Sequence, residues 1–175
     1  MMAALLDALL TDRLGPGAAV VRSSGFGPEG IPAIDAAVAA MQRRGLDVST
    51  HRSCTTTPAL VDGADVIITA ERAHVVKIAA LSPSAFRRAM TLPELIALTA
   101  DAPRETSAAS VREWIMSLTA ARTAGAYLRE PVPEVADPTG SMPRTFEAAV
   151  VGIERQCIDV SDVLARVARD LSLST

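Results

Sequence analysis

Eight apolar residues near the carboxyl end of the chain are Phe146, Val150, Ile153, Cys157, Val160, Leu164, Val167 and Leu171, spaced 4, 3, 4, 3, 4, 3 and 4 residues apart. That alternation puts all of them in one seam along a single helix. A helix from about residue 144 to 171 is roughly 40 Å long at about 1.5 Å per residue. A seam of this length has to be covered, either by the domain's own sheet or by the same helix of a second copy in a homodimer.

Composition narrows what the rest of the chain can build. Of 175 residues, 49% are hydrophobic and only 3% aromatic, so alanine, leucine and valine supply the apolar bulk. That stock suits helices packed on a small sheet better than an aromatic-rich barrel. With 21% charged residues the balance is that of a globular protein and excludes a disordered tail. A chain of 18.3 kDa is of ordinary size for one domain, here taken as 1–175, with about two-thirds of its surface buried on folding. The net charge of −3 and the absence of a basic run with interleaved aromatics argue against a nucleic-acid partner. No apolar run reaches the about 18 residues that cross a bilayer, so no membrane partner is expected. The opening Met1-Met2-Ala3-Ala4-Leu5-Leu6 lacks a positive flank and is interrupted by Asp7, unlike a signal peptide. Cys54 and Cys157 make no disulfide framework and no metal-ligand spacing, which predicts a reducing, cytoplasmic setting with no metal and no cofactor.

Periodicity and turn chemistry give the order of elements. Leucines at 5, 6, 9, 10 and 14 predict an opening helix stopped by Gly15-Pro16-Gly17. Ala18 to Ser23 reads as a strand, and Ser24 to Pro32 as a turn-rich loop. Ile34, Val38 and Met41 predict a second helix with Gly45 as its left-handed stop. After a polar segment, Asp65 to Thr69 predicts a short buried strand, followed by a helix from about Arg72 to Ala80. A further strand is expected near Ala89 to Leu92, and Pro93 as the first residue of a helix reaching about Ala100. Asp101 to Ser110 reads as a loop, and Val111, Ile115 and Leu118 as a helix ending near Gly125. A proline-rich loop from Glu130 to Pro143 leads into the long helix. Strands alternating with helices imply an α/β fold, a small parallel sheet flanked by helices in three Rossmann-like layers. Yet only three strands are readable, and an α/β domain that opens on its first helix is short of a strand.

Few side chains stand out for chemistry. Asp137-Pro138 reads from the dipeptide alone as a common Asx-Pro turn. Phe26 lies in the glycine-rich loop and reads by itself as a residue folded onto the core. Ser23 and Ser24 read by themselves as the polar close of a strand end. His51, Arg52 and His74 read as structural or surface residues, and Arg43-Arg44 and Arg87-Arg88 as cations at helix ends.

The order of the short motifs resembles the low-molecular-weight protein tyrosine phosphatase family over nearly the whole chain. Met2-Ala3-Ala4-Leu5-Leu6 is similar to the start of that family's first helix. Val20-Val21-Arg22-Ser23-Ser24-Gly25 resembles its second strand and turn, and Gly45-Leu46-Asp47 with His51-Arg52 its glycine-hydrophobic-aspartate and histidine-arginine segment. Ala64-Asp65-Val66-Ile67-Ile68 and His74 resemble the third strand and following helix, and Asp137-Pro138-Thr139-Gly140 the loop that carries the general acid.

The resemblance implies a hydrolase of phosphate monoesters acting on a phosphorylated protein or a small phosphomonoester. In that chemistry a cysteine thiolate attacks phosphorus, and backbone N–H groups with an arginine bind the equatorial oxygens. An aspartic acid protonates the leaving phenolate. Asp137 takes the acid's place, with Phe26 and Thr139 as substrate-binding residues and Ser23 and Ser24 as supports behind the phosphate loop. Thr139 stands where the family often has an aromatic. The family's cysteine, five residues, arginine signature is absent, since the arginine position is Leu60 after Cys54 and Val163 after Cys157. The expectation is a chain lacking the first, central strand and the loop that follows it, through a misassigned start codon. The alternatives are a non-catalytic pseudo-phosphatase serving as a binding or dimerisation module, and an arsenate-reductase-like relative. In a 2-1-3-4 sheet the missing strand leaves its neighbours about 10 Å apart, with unpaired groups costing on the order of 1–3 kcal/mol each if buried.

Overall fold

A computed structural model describes residues 1–100, 102, 107–137, 139–140 and 142–173. The elements in chain order are α1 (Met2–Leu14), α2 (Asp35–Gln42), α3 (Pro58–Gly63), β1 (Ile67–Thr69), α4 (Arg72–Leu81), a 3₁₀ turn (Pro83–Arg87), β2 (Ala89–Thr91), α5 (Leu92–Ala100), α6 (Val111–Leu118), α7 (Ala124–Arg129) and α8 (Pro143–Leu173). They fall into two units, Met1–Thr56 with Ala136–Ser161, and Thr57–Val135 with the part of α8 from Asp162 onward.

The parallel sheet lies in the second unit. β1 pairs with β2 in parallel, with Ile67 opposite Ala89, Ile68 opposite Met90 and Thr69 opposite Thr91. The crossover between them runs through α4, which buries Val75 and Ile78. All three residues of β2 are buried, as expected of a strand inside an α/β layer. Arg88, only 3% exposed, satisfies the end of α3 by donating to the carbonyls of Val61 and Ala64.

Polar side chains fix where the helices of this unit begin. Thr91 Oγ1 accepts from the Glu94 N–H at 3.2 Å, and Glu94 Oε2 accepts from the Thr91 N–H at 3.2 Å. This reciprocal box starts α5 at Leu92, so Pro93 is its second residue and not its first. Ser110 and Thr123 cap α6 and α7 without such reciprocity, each side chain accepting from the N–H three residues on. α6 therefore ends at Leu118, and a separate helix surrounds Gly125 where the sequence predicted one continuous helix.

Glu94 is also the hub of a buried polar cluster. Arg122 Nη2 pairs with Glu94 Oε1 at 3.2 Å, with the two side chains only 10% and 16% exposed. The same guanidinium donates to Ala89 O at 2.7 Å and Phe86 O at 3.0 Å. It also lies 4.0 Å from the Tyr127 ring centroid and 4.6 Å from that of Phe86. Burial, then the Glu94 charge, pushes the Tyr127 hydroxyl up to about 12.

In the first unit, α1 buries Leu5, Leu6 and Leu10, and α2 buries Ala37, Ala40 and Met41. Gly45, at φ +74°, ends α2 as predicted. Leu46 N–H bonds to Met41 O and Gly45 N–H to Gln42 O, both at 3.0 Å, the Schellman arrangement that needs a left-handed residue. An added Cβ at Gly45 would meet nothing within 4 Å, so the cost of Gly45→Ala is the backbone's alone. The expected loss is about 1–2 kcal/mol, read as a lower midpoint in equilibrium urea unfolding. Arg44 follows with salt bridges to Glu147 at 3.0 Å and Glu154 at 2.8 Å on α8.

The seam of α8 is buried within a single chain. Phe146, Val150, Ile153, Cys157, Val160, Leu164 and Val167 are each 8% exposed or less, so its apolar stripe needs no second copy to cover it. Only Leu171, near the end of the helix, is partly exposed.

The predicted strand at Ala18 to Ser23 is not formed. Exposure alternates along Ala18 to Arg22 as in a strand, but no ladder is made. The first pairing is an isolated parallel bridge between Gly25 and Thr55. The physical reason is the lack of a neighbour among the described residues. Without one no ladder can form, and the segment stays at the surface, where the penalty of burying unpaired backbone groups is avoided. Val20 is left 77% exposed. Part of the predicted loop Asp101 to Ser110, and Pro138 and Ser141 of the proline-rich loop, lie outside the described residues. Among the described residues no helix is long and apolar enough to cross a membrane.

Candidate functional site

The candidate acid sits on a local turn. Asp137 is exposed, and its Oδ1 accepts the Thr139 N–H at 2.9 Å. That bond, more than anything else around it, holds the Asp137 carboxyl below the usual carboxylate range. Asp137 and Thr139 are thus brought together, but through an Asx turn in which the Thr139 backbone serves the carboxylate. In this arrangement the carboxyl is ionised at neutral pH, so acid catalysis requires something to return its proton.

Ser23, Ser24 and Phe26 lie where an extended segment turns. Ser23 is exposed, and the Ser24 hydroxyl accepts from Thr56 Oγ1 at 2.9 Å. Gly25 N–H bonds to Cys54 O, and Thr56 N–H to Gly25 O, both at 2.8 Å. The loop beyond is laced to the same stretch by Ser53. Its Oγ accepts from Ile31 N–H at 2.9 Å and donates to Pro28 O at 2.6 Å. Phe26 is half-buried between these contacts. Ser53 and Thr56 are the residues that organise this loop, and sequence reasoning passed over both. The only available signal was the density of hydroxyls in Ser53-Cys54-Thr55-Thr56-Thr57, which turn chemistry also explains. No hydrogen bond among the described residues joins the Asp137 turn to Ser23 or Ser24.

The cysteines differ in environment. Cys157 is fully buried in the α8 seam, and burial pushes its thiol up to about 12. It is a neutral packing residue at physiological pH, and neutral thiols are poor nucleophiles. Cys54 is exposed, with Sγ 3.7 Å from Thr55 O. Among the described residues no three His, Cys, Asp or Glu side chains gather as a metal-binding group.

No family model and no curated protein matches the chain. Solved structures do match it. A low-molecular-weight protein tyrosine phosphatase from T. tengcongensis is 17% identical, with a TM-score of 0.65 over 92% of this chain and 87% of that one. A YwlE mutant from Bacillus subtilis is 19% identical, with a TM-score of 0.62 over 92% and 86%. The tyrosine phosphatase Wzb from Escherichia coli K30 is 18% identical, with a TM-score of 0.60 over 91% and 87%. With these likenesses the chain has the fold of the low-molecular-weight protein tyrosine phosphatases.

Proposed function

We propose that residues 1–175 are one phosphatase-type domain, a hydrolase of phosphate monoesters on protein tyrosine or on a small molecule. Its nucleophilic loop and central strand would be contributed by residues encoded ahead of Met1. The observation that carries this reading is the fold, matched over 92% of the chain by a tyrosine phosphatase. The state of Ala19 to Ser24 supports it further. This stretch holds the β-branched pair Val20-Val21 and has strand-like alternation of exposure as far as Arg22. Its backbone groups bond to no other backbone group among the described residues. A strand added alongside would satisfy them.

On this reading the added loop supplies a thiolate and an arginine. The chain's own residues then have four tasks. Asp137 delivers a proton to the leaving oxygen and afterwards takes one from water. Thr139 holds that carboxylate through its N–H. Phe26 packs against the substrate's ring, and Ser23 and Ser24 brace the loop from behind. The partners are a phosphorylated protein or small phosphomonoester in the cytoplasm, with no nucleic acid, membrane or cofactor.

A second reading, the non-catalytic binding module, is favoured by one observation. Neither cysteine within residues 1–175 is followed at the sixth position by arginine, since Leu60 and Val163 stand there. The assay that separates the readings is hydrolysis of p-nitrophenyl phosphate. Residues 1–175 alone should give no turnover above buffer, and the chain extended by its upstream in-frame codons should give turnover that needs the added cysteine. Turnover by residues 1–175 that survives both Cys54→Ser and Cys157→Ser would overturn the assignment of roles. No turnover from the extended chain would leave the binding module.

A further inference from the structure

We draw no further inference here: the strongest candidate, the Glu130–Val135 segment tied down by the Arg72 N–H to Glu134, Thr91 Oγ1 to Pro133 O and Val135 N–H to Ala70 O, accounts for the anchoring of its own loop, and nothing in the structure brings a ligand or a partner to it.

Discussion

In a chain extended by the proposed upstream loop, Asp137→Asn is expected to slow phenyl phosphate hydrolysis by about 10²–10⁴-fold, the usual contribution of a positioned general acid. A phenolate is a basic leaving group and needs a proton as the P–O bond breaks. p-Nitrophenolate scarcely needs one, so the same variant should lose far less on p-nitrophenyl phosphate. The informative quantity is the ratio of the two losses on one purified protein. The Thr139 N–H now holds Asp137 below the ordinary carboxylate range. A bound phosphate dianion would work against that, because a neighbouring like charge favours the protonated form. The falling limb of kcat/KM at higher pH would report Asp137 in the free enzyme, and that of kcat Asp137 in the substrate-bound enzyme, titrating higher. Equal losses on both substrates would reduce Asp137-Pro138 to a structural turn.

Arg122→Met is expected to cost about 3–5 kcal/mol of stability, the range for removing one partner of a buried ion pair. The change leaves the Glu94 carboxylate without its cation and removes donors from Ala89 O and Phe86 O. Against a total stability of about 5–15 kcal/mol, the urea midpoint should fall sharply. The contrast is Arg43→Ala. Arg43 also pairs with a glutamate, Glu147, but its side chain is 56% exposed, and exposed pairs contribute about 0–1 kcal/mol.

The cluster also has a titration signature, because Tyr127 is the one tyrosine in the chain. Its folded pKa of about 12 stands above the ordinary value of 10.0. A raised acid of this kind contributes stability that is fully present below pH 10 and is lost as pH rises toward 12. Glu94→Gln removes the second cause of the shift and keeps burial, the first. The tyrosinate absorbance should then appear at lower pH, yet still above the unfolded value. An unmoved titration would mean that Glu94 does not act on Tyr127.

Features set by one local rule could be read from the sequence. The α8 seam is legible because seven alternating intervals of 4 and 3 residues admit only a helix. Gly45 is legible because glycine takes φ +74° at little cost. The β1 strand and the α4 crossover follow from a β-branched run leading into a helical spacing. The six-residue helices α3 and α7 were not legible, since neither is long enough to show a period. Each instead starts from a threonine cap, Thr57 or Thr123, whose sequence reads equally as a turn. The strand at Ala18 to Ser23 fails for the opposite reason. Its propensity is plain, but a strand is a property of two segments, and propensity does not supply the second.

For the site, Asp137 and Thr139 were legible as a turn because an Asx side chain reaches the N–H two residues on. The link between Ser24 and Thr56 was not, because it joins hydroxyls 32 residues apart, and no spacing rule predicts such a contact.

The central proposal is that a strand and a phosphate-binding loop encoded ahead of Met1 complete this fold. The coding DNA read in frame ahead of Met1 tests it most directly. The account predicts codons for a short β-branched run, then cysteine, five residues, arginine, and serine or threonine. A stop codon in frame before any such run would contradict it.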